Sequence, residues 1–559
     1  MNPFEGAETA SYDSDFFPPA SKRRRVQAYD PSFYTEDSSQ LYGPLPETEI
    51  ICFRDALLMG APQRLEESLR NFSFPRYAAE AAASEEGLAA LRDLPPRCHR
   101  LAYLYELAHR LELEGFYIGV TERLFGQSAY APPDRCARRL MTSMSDAQAA
   151  AVFLAFERET ILQRDCDLWL TLRQGLMTAS AVQAFLKRAP EHQPDVLGLS
   201  KNLSFASEAA AFGCVNERCA RLLLLTYVCG HPKRQFRSGQ TCNDDSASSA
   251  FNEHGSGLLM DLNTGMIGAS MDVFSCPRDE RLCLQLPNPE LGDALGIYEI
   301  KCRAKYNFSP VFSSGLMNAY EAMIADPGPK TFADFLFSIR APGVNWFSSN
   351  GMPSAREALV TTDEAWQRGP KKVRACYIGT DLEKRLLALN RENRSLVTVF
   401  RVCAENRTVQ PYRFKNGTCA FQVPVFLNPK HENAKQLLVQ SYVAASYYPG
   451  RLLRAHLVTL YARERAPEES GVAFSLLGGL DPERPPASLP ACLGLPVALQ
   501  VTPFVFDEGC LNEIQRTAVG AWKRAVYERW DVGVAEAPRG SVTRAASPVS
   551  DGAAVTRET

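Results

Sequence analysis

The hydrophobic period changes part-way along this chain, and that change restricts the fold more than any single residue does. From about residue 50 to 230 apolar residues recur at helical spacing, as in Leu104, Leu107, Leu111 and Leu113 and in the helix-forming run Ala147 to Phe156. The period then drops to two. Gly257 to Leu262 and Met266 to Phe274 are apolar segments separated by Asn263-Thr264-Gly265, a turn-forming set that predicts a β-hairpin. A third strand, Leu295 to Cys302, follows a loop containing Pro287, Asn288, Pro289 and Gly292. Glu432 to Tyr447 reads as a helix, Leu457 to Ala462 and Leu499 to Phe506 as strands, and Leu511 to Arg529 as a closing helix. The pattern predicts a mixed α/β core behind a helical lobe.

The 559 residues divide into a leader (1–45), a helical N-terminal lobe (46–165), a core with a C-terminal elaboration (166–530) and a tail (531–559). Leader and tail lack sustained apolar periodicity and are expected to be disordered. The leader carries Lys22-Arg23-Arg24-Arg25, a run suited to a nuclear import receptor, with a solvated charge run as the plain alternative. With 61 Lys and Arg against 64 Asp and Glu, the chain is no polycation, so any phosphate-binding surface must be local. No secretory signal is expected at the acidic start, and no apolar run approaches the ~20 residues of a membrane span. The 16 cysteines include no C-x-x-C pair, and the irregular set Cys214, Cys219, Cys229 and His231 is a poor zinc site, so reduced thiols are expected. There is no P-loop, no dinucleotide-binding glycine pattern and no internal repeat.

Chemistry concentrates in the strands, where residues two apart share a face. In Gly268-Ala269-Ser270-Met271-Asp272-Val273 the small or polar Gly268, Ser270 and Asp272 alternate with packing residues. In Tyr298-Glu299-Ile300-Lys301-Cys302, Glu299 and Lys301 oppose Tyr298, Ile300 and Cys302. If these strands are neighbours, Asp272 and Glu299 offer carboxylates to a hard cation, the Ile300 carbonyl offers a further oxygen, and Lys301 positions an attacking water. By itself Glu-x-Lys occurs by chance about once or twice in a chain of this length, and an exposed salt bridge explains it as well.

Three further segments add weight. Phe212-Gly213-Cys214-Val215-Asn216-Glu217-Arg218 is predicted to open a helix, with Glu217 in its first turns as a third carboxylate; a solvent-facing glutamate is the alternative. Trp169 to Ser180 contains Arg173, a turn at Gly175, and Thr178 and Ser180 as a helix cap, a set that can hold a phosphate or merely cap. Asn428-Pro429-Lys430-His431 precedes Gln436 and Gln440, which one helical face presents either to a DNA channel or to plain packing.

In this order, Leu172 to Val182, Phe212 to Arg221, Gly257 to Val273, Tyr298 to Tyr306, Pro353 to Leu359 and Asn428 to Tyr442 resemble the herpesvirus alkaline nucleases. More distantly they resemble the exonuclease of bacteriophage lambda, within the PD-(D/E)xK superfamily. The resemblance implies a restriction-endonuclease-like core, a central mixed sheet flanked by helices. It maps the catalytic acid and the E-x-K pair onto Asp272, Glu299 and Lys301, adds Glu217 and Ser270, and makes Arg173 and Ser180 phosphate-holding residues. Methionine, not proline, precedes Asp272.

What the resemblance implies is a Mg²⁺-dependent deoxyribonuclease, with Mn²⁺ as a substitute, that works 5′ to 3′ with some endonuclease activity and an alkaline optimum. Its implied task is to trim branched replication intermediates before genome packaging, in the host nucleus and also the cytoplasm. Duplex DNA with ends or branches and a viral single-strand DNA-binding protein are the implied partners. Two alternatives stay open: an RNA-degrading host-shutoff nuclease using the same site, and a non-catalytic packaging or recombination scaffold.

Overall fold

The computed structural model describes residues 69, 72–114, 120–126, 133–161, 163, 166–179, 181–187, 192–199, 208–229, 253–276, 278, 284–285, 294–302, 314–338, 345–347, 380–403, 408–466, 469 and 494–530. The strands are β1 (Met177–Thr178), β2 (Glu253–His254), β3 (Leu259–Met260), β4 (Ile267–Ala269), β5 (Val273–Ser275), β6 (Ala294–Cys302), β7 (Asn345–Phe347), β8 (Ser395–Cys403), β9 (Thr408–Pro411), β10 (Ala420–Val423), β11 (Val425–Leu427), β12 (Leu452–Arg463) and β13 (Leu495–Phe504). The helices that matter for the site are α1 (Pro96–Leu113), α2 (Asp146–Glu159), α3 (Asp167–Leu172), α4 (Glu208–Tyr227), α5 (Asp381–Asn390), α6 (Glu432–Tyr447) and α7 (Glu508–Trp530). The leader, the tail, Lys22 to Arg25, Ser180, His231 and Pro353 to Leu359 lie outside the described residues.

The large sheet runs in the order β10-β8-β13-β12-β6-β5-β2, with β9 also on β8. Its β6–β12 pair is parallel and the others are antiparallel, so the sheet is mixed, as expected. A crossover must connect parallel neighbours, and α6, which ends five residues before β12, is its last element. The strand periodicity sorts β6 into two faces. Leu295 and Ile297 join the core that holds α6, whereas Ile300 and Cys302 join a second core with Leu223 and Leu224 of α4. Glu299 and Lys301 therefore share the α6 face, opposite Ile300 and Cys302.

The hairpin around Asn263-Thr264-Gly265 forms, with Leu259 opposite Ala269 and Met260 opposite Gly268. Its second strand does not run on to Phe274 as the alternation suggested. β4 belongs to a small sheet of order β1-β4-β3, β5 belongs to the large one, and only Ser270, Met271 and Asp272 separate them. The cause is the pull of β1, which pairs in parallel with β4 and brings Leu176 so close that a Cβ at Gly268 would stand 2.3 Å from its Cδ2. The two sheets thus diverge at the residues expected to do chemistry.

The helical N-terminal residues are not packed apart from the rest: Leu101, Leu104 and Phe153 share one hydrophobic cluster with Leu437 and Val443 of α6 and Trp522 of α7. Arg100 of α1 is wholly buried, stacks 3.6 Å over the Phe74 ring, and donates to the carbonyls of Gly175 (2.8 Å) and Gly265 (2.9 Å). A buried cation on an aromatic face contributes on the order of 2 kcal/mol. Both glycines have positive φ, so Arg100 fastens two left-handed turns, one after Arg173 and one in the hairpin. Asp261, also buried, closes the hairpin turn by accepting from the Thr264, Met266 and Ile267 amides and from the hydroxyls of Thr264 and Tyr442. Gly257 sits so near α2 that a Cβ there would lie 1.9 Å from the Glu157 carbonyl oxygen.

Candidate active site

The site lies at the divergence of β5 and β6. Their ladder ends at Val273 opposite Tyr298, and one step beyond it the Asp272 side chain takes over as acceptor: the Ile300 amide donates to Asp272 Oδ2 at 2.6 Å. The Asp272 Oδ1 atom receives no hydrogen bond from any described residue. On β6, Glu299 is buried and receives three donors. Lys301 Nζ and Gln436 Nε2 reach its Oε1, and Gln440 Nε2 reaches its Oε2 at 2.5 Å. Gln436 and Gln440 are one turn apart on α6 and so face the same way.

A carboxylate presents about four lone-pair directions, so Oε1 is saturated while Oε2 keeps one. Glu299 Oε2 and Asp272 Oδ1 are the oxygens still open to a cation. Electrostatics point the same way: burial, followed by the Asp272 charge, pushes the Glu299 carboxyl up to about 7 even though Lys301 and Gln440 hold it down. A divalent cation would relieve both causes. Among the described residues no cluster of three or more His, Cys, Asp or Glu side chains forms. Two carboxylates with a backbone carbonyl suit Mg²⁺, which binds few protein ligands and retains water, better than Zn²⁺.

On the other flank the Trp169 indole N–H donates to Ser270 Oγ at 3.0 Å, and the Arg173 guanidinium lies 4.0 Å over the Trp169 ring. Burial lowers the Arg173 pKa to about 10, still protonated near neutrality. The backbone of Ser270 is tied to the same assembly, since Gln440 Nε2 also donates to its carbonyl at 3.2 Å. An open pair of carboxylates with an ammonium beside them, and a guanidinium on the Ser270 flank, form a site for hydrolysing a phosphodiester.

A sequence model of the viral alkaline exonucleases matches residues 68–539. The chain belongs to that family. Over 479 residues it is 36% identical to the alkaline nuclease of Psittacid herpesvirus 1, covering 84% of this chain and 90% of the relative. Over 461 residues it is 35% identical to the alkaline nuclease of Human herpesvirus 2, covering 78% of this chain and 71% of that one. Its fold is similar to that of the shutoff and exonuclease protein from Kaposi's sarcoma-associated herpesvirus, with a TM-score of 0.60 and 20% identity over 87% of this chain and 96% of the other. Membership makes the chain a nuclease, and the family resemblance read from the sequence is borne out.

The structure brings together Asp272, Glu299, Lys301, Ser270 and Arg173, with the Ile300 backbone between the acids. It places others differently. Glu217 is mid-helix, because α4 starts at Glu208, upstream of the expected start. That helix packs on the Ile300 and Cys302 face, and Glu217 pairs with Arg221 at 3.0 Å, so it completes no three-carboxylate cluster with Asp272 and Glu299. Gln440 is wholly buried and serves Glu299 rather than lining a DNA channel, and Gln436 shares that role. His431 caps α6 by accepting from the Asn433 amide at 3.1 Å. Thr178 lies in β1, opposite Gly268. The ten cysteines whose side chains are described are all free thiols. No helix among the described residues is long and apolar enough to cross a membrane. Nothing in the strand alternation points to Trp169; the available signal is its position one helical turn before Arg173.

Proposed function

We propose that the chain is a Mg²⁺-dependent deoxyribonuclease on a PD-(D/E)xK core, with Mn²⁺ able to substitute. It shortens duplex DNA from free ends in the 5′ to 3′ direction, cuts internally to some extent, and trims branched replication intermediates before packaging. The observation that carries this reading is the pair of open carboxylate oxygens, on Asp272 and Glu299, beside the Lys301 ammonium. Asp272, Glu299 and the Ile300 carbonyl would hold the cation, which when bound supplies Lewis-acid polarisation of the phosphodiester.

The remaining work falls to the chain's own groups. Gln436 and Gln440 fix the Glu299 rotamer, one holding Oε1 and the other Oε2. Lys301, about one-quarter exposed, stands at the mouth of the site to orient the attacking water and to offset charge that develops on the phosphate. Arg173 holds a phosphate oxygen by its planar fork, and Ser270 donates a hydroxyl hydrogen to the same group. Ser180 is proposed as a further phosphate ligand on the strength of the family resemblance, and Glu217 as a more distant negative charge. That charge and Asp272 both act on the Cys302 thiol, after burial and Cys219. A viral single-strand DNA-binding protein is the proposed partner, and the host nucleus, entered by way of Lys22 to Arg25, the proposed place of work, with a cytoplasmic pool.

The test is cleavage of end-labelled duplex DNA with Mg²⁺, with chelator, and by the Glu299→Gln variant. Loss of 5′ ends in the first condition alone is expected. Trimming that survives both chelator and Glu299→Gln would overturn the catalytic reading in favour of a scaffold carrying a contaminating nuclease. Structured RNA at equal enzyme concentration, degraded faster than DNA, would redirect the substrate to RNA.

A further inference from the structure

We propose that Trp169 is a positioning residue that makes Ser270 and Arg173 act together on one substrate phosphate. The inference rests on the nuclease reading of the site and concerns a side chain that touches no reacting atom. Trp169 lies on α3 and is nine-tenths buried, with both of its functional surfaces occupied. Its edge donates the indole hydrogen to Ser270 Oγ, and its face carries the Arg173 guanidinium.

The indole nitrogen can only donate. Ser270 is thereby fixed as acceptor on the side toward Trp169, and its own hydrogen must point elsewhere. No described residue accepts that hydrogen. Without the indole, the hydroxyl rotor of Ser270 would lose the donor that occupies one of its acceptor directions, and its hydrogen would no longer be held to one side. With the indole in place, the hydrogen remains available to an anion entering the site. The same ring sets the position of Arg173. The arginine follows a helix of six residues and precedes the left-handed Gly175, so its backbone alone leaves the long side chain many rotamers. Stacking on the indole removes most of them and keeps the donor fork at the substrate side. One rigid ring therefore sets the direction of a hydroxyl and the place of a guanidinium, the two groups a phosphodiester needs on its non-bridging oxygens.

The experiment uses full-length protein, Mg²⁺ and end-labelled duplex DNA. Trp169→Phe keeps a stacking face and loses the donor. It is expected to lower kcat by roughly five- to twentyfold with little change in KM, the effect of one neutral hydrogen bond that orients a group. Ser270→Ala is expected to match it, and the double variant to be no slower than either single one, because both remove the same interaction. Trp169→Leu removes the face as well, and should add a rise in KM that Arg173→Gln reproduces and that does not grow further in the Trp169→Leu/Arg173→Gln pair. Site-specific replacement of Trp169 by 3-benzothienylalanine, which exchanges N–H for sulfur at nearly constant shape, guards against misfolding of the phenylalanine variant and should give the same kcat loss. Additive losses in Trp169→Phe/Ser270→Ala, or a benzothienyl protein as fast as the parent, would overturn the proposal. Failure of the underlying reading looks different: Asp272→Asn would then leave cleavage intact, whatever the Trp169 variants do.

Discussion

Two lysine–glutamate pairs flank α6, and they differ in what surrounds them. Lys435 of α6 meets Glu383 of α5 at 2.6 Å, with both side chains almost completely buried, and Glu383 also accepts from the Thr380 amide in a capping box. One cation, one anion and the surrounding donors balance, and the pair is closed. Lys301 and Glu299 make the same contact, but Lys301 is partly exposed and Asp272 adds a second negative group beside the first. That site has one carboxylate too many for the protein alone. A buried pair with matched charge serves the architecture, whereas a buried pair with surplus negative charge asks for a cation from outside.

The largest effect that tests this contrast is on turnover. Asp272→Asn should cut the rate by on the order of 10³-fold or more while duplex binding, followed by fluorescence anisotropy, largely survives. Loss of soluble protein instead would place Asp272 with the architectural acids. Lys435→Met addresses the closed pair: leaving Glu383 buried and alone should cost about 3–5 kcal/mol in urea unfolding, with cleavage per folded molecule much less affected. If turnover collapsed and stability held, the two pairs would not differ in the way proposed.

The next effect is one of pH. Glu299 has a folded-state pKa near 7, above the ordinary carboxylate value, so the metal-free protein binds a proton there that the unfolded chain has already lost. The sign follows: this group costs nothing below the unfolded pKa, and its destabilisation is fully present above about 7. Mn²⁺ affinity measured by calorimetry should therefore rise by up to about tenfold per pH unit toward neutrality and flatten above it, and Glu299→Gln should abolish the slope. The smallest effect is expected at a third pair, Lys384 with Asp381, which is largely solvated. Lys384→Ala should change stability by no more than about 0.5 kcal/mol, confirming that proximity without burial decides little.

Much of this contrast was legible along the chain, and what was not has physical causes. The alternation Tyr298-Glu299-Ile300-Lys301-Cys302 placed Glu299 and Lys301 on one face because a strand leaves no other choice. The hairpin turn at Asn263-Thr264-Gly265 and the full extent of α6 were equally readable from turn chemistry and period. The break after Ala269 was not, since pairing with β1 comes from a segment about 90 residues upstream and leaves no local mark. Gln436 and Gln440 showed by spacing that they share a face, but only packing reveals that the face meets Glu299. Glu217 was displaced along its helix for the commonest reason: helix starts are set by caps and contacts more than by propensity.

The divergence of β4 from β5 leaves Asp272 on the three-residue link between the two sheets, whereas Glu299 is fixed inside the large one, like the moving and fixed jaws of a caliper. Beyond Val273 the β5–β6 ladder gives way to the bond from the Ile300 amide to Asp272 Oδ2. The small-sheet end of the link is held from behind, by Arg100 gripping the Gly265 turn and by α2 lying against Gly257. Sequence change in the N-terminal helices can therefore alter the gauge of the site, and with it the size of the cation it prefers, without replacing any residue that touches cation or substrate.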